Sequence, residues 1–129
     1  MGGSTVEIKS YRDLLVWQKG VDLAVECYRF TDHFPKSELY GLTNQMRRAA
    51  VSIPSNVAEG SERRHTPEYI QHVSVACGSL AELDTQVEIA RRLQFIDEQL
   101  VQQFFTRTDE LSRMLHGLRN SLEAKLHRG

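Results

Sequence analysis

Three arginine pairs are the residues of this 129-residue chain best suited to chemistry: Arg47-Arg48, Arg63-Arg64 and Arg91-Arg92. A guanidinium is planar, always charged and fits a carboxylate or a phosphate with a fork of donors. Two uses follow. Arginines in a loop can reach the phosphates of a nucleic acid. Arginines on a packed helix can meet carboxylates and hold two surfaces together. Arg63 and Arg64 fall in a short polar connection, Ser61-Glu62-Arg63-Arg64-His65, and Arg91 and Arg92 stand where a helix ends. These four are the candidate nucleic-acid contacts. Arg47 and Arg48 lie inside a helix, about 100° apart around its axis. They are assigned to a subunit interface, with Glu59 or Glu82 as the carboxylate. The alternative for any pair is a solvated surface ion pair worth at most ~1 kcal/mol.

Other chemistry is sought and not assembled. Glu62-Arg63-Arg64-His65 has the letters of a di-iron Glu-x-x-His, but it is single, whereas a di-iron bundle takes two such motifs on helices and two further glutamates. His33, His65, His72, His116 and His127 never fall four apart on one helical face, the spacing a helical zinc pair needs. No glycine-rich phosphate loop or paired Cys-x-x-Cys occurs. Ser52 and Ser55 flank Pro54 and are expected to bond backbone carbonyls freed there. Asp84 is expected at the edge of a helical seam, paired with an arginine. The expectation is a protein that is not an enzyme, with no cofactor, no metal and no small-molecule substrate.

Size and composition bound the partners. One domain of this length buries a core without staples. A net charge of −1 argues against coating nucleic acid by bulk charge. No run approaches the ~20 apolar residues of a membrane span. Met1-Gly2-Gly3-Ser4-Thr5 lacks the plan of a signal peptide, and Val6 stands where myristoylation needs Ser or Thr. Residues 1–9 are expected to be a flexible leader. Cys27 and Cys77 fall in helical stretches, which fits reduced thiols in a cytoplasm.

The elements that must position these residues are four helices, over about 11–32, 38–59, 66–93 and 97–123. Leu14, Trp17, Val21, Val25 and Tyr28 make one apolar stripe on the first, and Val16, Leu23, Cys27 and Phe30 a second on nearly the opposite side. Phe34-Pro35 ends it. The second helix has Ser37 as N-cap and Leu42, Met46, Ala49, Ile53 and Val57 on its seam. Pro54 should bend it near Ile53, and the pattern resumes in register at Val57. Gly60 is taken as its C′ residue. Thr66-Pro67 starts the third helix, whose seam is Tyr69, Val73, Ala76, Leu80, Leu83, Val87 and Ala90. Gly78-Ser79 in mid-helix could admit another backbone. Asp97 caps the fourth helix, with Val101, Phe104, Thr108, Leu111, Leu115, Leu118 and Leu122 on its one apolar face. The tail from about Ala124 is expected to fray. Short loops and four seams make an all-α, antiparallel up-down-up-down four-helix bundle.

One core cannot bury two faces of the same helix, so the surplus apolar surface predicts assembly. The interface candidates are Val16, Leu23, Cys27 and Phe30 on the first helix, Arg47, Arg48, Ala50, Val51, Pro54, Ala58 and Glu59 on the second, and Glu82 on the third.

Three stretches resemble a known family: Tyr11-Arg12-Asp13-Leu14-Leu15-Val16-Trp17-Gln18, the segment from Tyr40-Gly41-Leu42 to Asn56-Val57-Ala58-Glu59-Gly60, and Gly78-Ser79-Leu80-Ala81-Glu82-Leu83. They are similar to the bacterial "four helix bundle protein" family, also described as proteins encoded in intervening sequences of large-subunit ribosomal RNA. The resemblance spans roughly residues 8 to 120. It implies a homopentamer of antiparallel bundles, related in fold to the accessory proteins of diversity-generating retroelements, which associate with a reverse transcriptase and with nucleic acid. The expected function is a cytoplasmic oligomeric adaptor that binds RNA or DNA, or an RNA-handling partner such as a reverse transcriptase. The alternative is a protein–protein scaffold with no nucleic-acid role.

Overall fold

The computed structural model describes residues 9–128, so the leader expected at 1–9 lies almost wholly outside it. Every regular element among the described residues is helical. The four long helices are α1 (Leu15–Thr31), α2 (Asn44–Glu62), α3 (Thr66–Arg92) and α4 (Glu98–Arg128). They share one apolar core and form a four-helix bundle.

The chain enters α1 through a separate 3-10 turn, Tyr11–Asp13. Ser10 Oγ accepts from the Arg12 amide (3.2 Å), and Asp13 Oδ2 accepts from the amides of Lys9 (2.9 Å) and Ser10 (3.3 Å). Leu14 is extended, so α1 starts at Leu15, four residues later than the sequence suggests. Gln18 Nε2 then donates back to the Arg12 carbonyl (2.8 Å), and Tyr11 sits edge-on to Trp17 at 5.3 Å. These bonds give Tyr11, Asp13, Trp17 and Gln18 each a job in the same corner.

On α1 the two stripes are the reverse of the expectation. Val16, Leu23, Cys27 and Phe30 face the chain's own core and are 0–7% exposed, so they are not interface residues. Val25 and Tyr28 of the other stripe are the ones left in solvent, at 44% and 46%. The reason is Gly20, on the buried side of α1. A Cβ there would lie 3.2 Å from the Pro54 side chain, so a glycine lets the two helices touch along that side. Pro54 and Ala50 are likewise inside the bundle rather than between subunits. Burial also holds the Cys27 thiol neutral, with its pKa pushed up to about 12, against a small opposing pull from Arg47.

The entry to α2 is irregular. A 3-10 turn at Lys36–Glu38 leads into a π turn at Leu39–Thr43, within which Gly41 leaves helical geometry (φ −113°, ψ −113°). Glu38, not Ser37, caps this turn, its Oε1 accepting from the Leu42 amide (3.3 Å). From Asn44 the helix runs through Pro54 to Glu62, its register resuming at Val57. Gly60 is therefore inside the helix and does not end it. It is buried, and a Cβ there would lie 2.7 Å from His72 Cβ and 2.9 Å from the Tyr69 ring. The glycine permits close contact between α2 and α3. Gly78, expected to admit a backbone, has nothing within 4 Å of such a Cβ.

The seams of α3 and α4 follow the expectation: Val73, Ala76, Leu80, Leu83, Val87 and Ala90 are buried against Val101, Phe104, Thr108, Leu111, Leu115 and Leu122. α3 closes with Gln94 in the left-handed region (φ 60°), the Phe95 amide bonding the Ala90 carbonyl and the Gln94 amide that of Arg91, each at 3.0 Å. That turn drops Phe95 onto Phe34 (5.5 Å), which joins Phe30 (5.7 Å) and, through it, Phe104 (4.8 Å). Asp97 stands at the N-cap of α4, its carbonyl accepting from Val101 (3.1 Å). The stretch after Ala124 is helical to Arg128.

Two glycine substitutions separate these roles. Gly60→Ala is expected to destabilise by roughly 1–3 kcal/mol, since His72 and Tyr69 must move. Gly78→Ala is expected to stabilise by up to about 1 kcal/mol through helix propensity. Urea unfolding of both variants checks this; similar shifts of the same sign would contradict it.

Candidate functional site

The arginine pairs divide by partner. Arg47 is half-buried and works within the chain. Its Nε donates to Thr31 Oγ1 (2.9 Å), its Nη2 to Asp32 Oδ1 (3.2 Å), and its Cζ lies 4.6 Å from the centre of the Tyr28 ring. Thr31 passes the bond on to the Cys27 carbonyl (2.8 Å). Arg47 thus ties the start of α2 to the end of α1 within the chain. Arg63 is held by Glu59 (3.2 Å) and lies 3.9 Å from Glu68. Arg91 makes a two-pronged contact with Glu88 (2.8 and 3.1 Å) and reaches Glu98 (3.6 Å), while Arg92 shares Glu88 (2.8 Å). The bonds from Arg91 and then Arg92 pull the Glu88 carboxyl down from 4.5 to about 2. Three of the four candidate nucleic-acid arginines are therefore matched by carboxylates of their own chain. Among the described residues, Arg64 and Arg48 have no ion-pair partner, and both are exposed. Arg12, which the sequence reading passed over, joins them: its guanidinium lies 5.7 Å from both the Tyr11 and Trp17 rings.

Arg12 and Arg64 belong to one end of the bundle. A shallow depression lined by Lys9, Tyr11, Ser61, Glu62 and Tyr69 places the entry turn of α1 beside the end of α2. Glu62 ends α2 and His65 precedes α3, and His65 Nδ1 is 3.9 Å from Glu68. No cluster of metal-ligating side chains occurs among the described residues.

A second polar region runs between α2 and α3. His72 Nδ1 meets Asn56 Oδ1 (3.0 Å), and Asn56 Nδ2 donates to the carbonyl (2.9 Å) and the hydroxyl (3.0 Å) of Ser52. Ser52 Oγ then meets Ser79 Oγ (2.9 Å). So Ser52 does not repair a carbonyl left by Pro54; it reaches across to α3. The chain of bonds opens into a cleft lined by Tyr40, Asn44, Arg48, Ser52, Ser79 and Glu82. Tyr40, at 91% exposure, stands at its rim. Sequence reasoning singled out Arg48 and Glu82 but missed Tyr40; the one signal was Gly41, which lets the backbone turn there.

Asp84 has no arginine partner among the described residues; its Oδ1 is buried without a bond. Burial raises its pKa above 3.8, the nearby Thr108 hydroxyl opposes this, and Asp109 adds to it. The Thr108 proton is also taken by the Phe105 carbonyl (3.1 Å), which limits its help. A carboxyl whose pKa rises on folding favours the folded state when protonated, so this group adds stability as pH falls through the raised pKa towards 3.8. Asp84→Asn is expected to raise the urea midpoint at pH 7, and by less as the pH falls towards 3.8. A variant no more stable than the parent at pH 7 would contradict this reading.

Among curated proteins, none matches this chain. A solved structure, described as a protein of unknown function from the S23 ribosomal protein family of Bacteroides thetaiotaomicron, is similar over 81% of this chain and 98% of its own, with 18% identity and a TM-score of 0.74. At that identity the likeness is one of fold. The model of the 23S rRNA-intervening sequence protein family matches residues 12–117, from Arg12 into the second half of α4. That span holds the α2–α3 contacts and all three arginine pairs, and the chain belongs to the 23S rRNA-intervening sequence protein family.

Proposed function

We propose that this chain is a non-enzymatic adaptor, a homopentamer of antiparallel up-down-up-down bundles that works in the cytoplasm and binds RNA. The observation that carries it is the outer face shared by α1 and α2. Gly20 meets Pro54, and Tyr28 and Thr31 meet Arg47, an order of contacts that supports opposite directions for the two helices. That register sets Val51 of α2 level with Val25 of α1. Val25, Tyr28 and Val51 then form one apolar strip, each more than 40% exposed, with Ala58 one end further along. A strip of this kind suits a subunit contact. A ring would repeat the ends bearing Arg12 and Arg64 and raise the local potential despite a net charge of −1 per chain. The partner of that rim is RNA, in keeping with the family's description, or DNA or an RNA-handling protein such as a reverse transcriptase.

One observation favours the scaffold alternative: Arg63, Arg91 and Arg92 are already matched by carboxylates. Sedimentation equilibrium and a salt-dependent RNA titration separate the readings. The parent is expected to sediment as a multimer at micromolar concentration and Val51→Glu as smaller species. Arg64→Ala is expected to remain multimeric and to bind RNA with a shallower salt slope. A parent that is monomeric removes the assembly; a multimeric parent that binds no RNA leaves the scaffold.

A further inference from the structure

We propose that the cleft between α2 and α3 seats one nucleotide of single-stranded RNA, with a phosphate on Arg48, the base against Tyr40 and a ribose hydroxyl on Glu82. This rests on the RNA-binding reading above and adds a site to it.

The cleft is built from groups that the fold leaves unused. Arg48 and Glu82 line the same opening, yet no bond joins them. Both are exposed, so neither is committed to the core. The polar chain from His72 fixes what lies at the floor. Asn56 donates to Ser52 Oγ, and the Ser52 and Ser79 hydroxyls share a bond in which either can be the donor. The floor thus offers serine hydroxyls in the same cleft as the Arg48 guanidinium, with the Asn44 amide also in its lining. A tetrahedral anion with several acceptor oxygens suits that set, and a guanidinium fork suits a phosphate in particular.

Tyr40 supplies the second half of the argument. The π turn and the departure of Gly41 from helical geometry push its ring out of the bundle, to 91% exposure. An aromatic face beside a phosphate-binding arginine is the pairing that single-stranded nucleic acids use, each base stacking on a ring while the backbone is neutralised. Glu82 is the only carboxylate lining the cleft. It would repel a bare anion, but it accepts from a hydroxyl, and the 2′-hydroxyl is the donor that separates RNA from DNA. One carboxylate opposite one arginine therefore fits a ribonucleotide better than free phosphate.

The test is anisotropy of a labelled single-stranded RNA of about ten nucleotides, titrated with the full chain at two salt concentrations. Tyr40→Ala is expected to weaken binding roughly tenfold, about the loss of one stacked base, while Tyr40→Phe binds as the parent does. Arg48→Ala is expected to weaken binding and to reduce the salt slope by about 0.7, one phosphate on a single strand. Glu82→Gln is expected to narrow the preference for RNA over the same DNA sequence. All these positions are exposed, so the variants keep the parent's fold, checked by circular dichroism. If the parent binds RNA and Tyr40→Ala and Arg48→Ala bind it equally well, the cleft is not the site and RNA binding lies elsewhere. If the variants keep RNA affinity but sediment as smaller species, the cleft is a subunit contact and the proposal is overturned. If the parent binds no RNA, the underlying reading falls and the cleft proposal with it.

Discussion

α2 lies close to two neighbours at once, and the rest of the bundle follows from that. On one side the Pro54 ring fills the space that a side chain at Gly20 would take. On the other, Gly60 lets the Tyr69 ring and His72 come within reach of its backbone. A proline inside a helix gives up a hydrogen bond and costs about 3 kcal/mol. Here it is buried, so its ring contributes packing that offsets part of the loss. Met46, Ile53 and Val57, all fully buried, take the middle of the same helix. With α2 held on both flanks, its remaining surface is a narrow outer face carrying Arg48, Val51 and Glu59. Arg48, Val51 and Glu59 are what that packing leaves outside, while Ala50 and Pro54 lie inside it.

Two elements were legible from periodicity alone. α4 has one apolar seam at helical spacing, and α3 has one continuous seam with only Val75 and Ile89 on its back, so in each the long seam leaves a single choice of buried face. α1 has two seams of similar apolar content. Hydrophobicity cannot choose between them, and the choice is made by the residue that is not hydrophobic at all: Gly20 permits contact on one side only. Phe30 and Cys27 follow it inward, and Tyr28 is left outside under Arg47. Gly60 misled for a related reason. Glycine near the end of a helix serves either as a left-handed cap or as a point of close approach. The two uses look identical in one dimension and differ only in what faces the missing Cβ.

The candidate sites were half legible. Arginine pairs mark where positive charge is concentrated, but whether a guanidinium is free depends on carboxylates one helical turn away or across a loop. Glu88 occupies both Arg91 and Arg92, and Glu59 takes Arg63. Of the paired arginines, Arg48 and Arg64 have no carboxylate partner among the described residues, and Arg12, which stands alone in the sequence, has none either. The polar chain from His72 to Ser79 was not visible, because Asn56, Ser52 and Ser79 are unremarkable in sequence and meet only when two helices are brought together.

α2, despite its proline, is held on both flanks, and native-state hydrogen exchange of its amides is the measurement that shows how firmly. Amides from Met46 to Val57, Pro54 having none, are expected to exchange only through global unfolding, with the same denaturant dependence as the seam of α3, while the last turns of α4 exchange freely. Exchange of the amides around Ile53 and Ser55 by local opening, well below the global free energy, would contradict it.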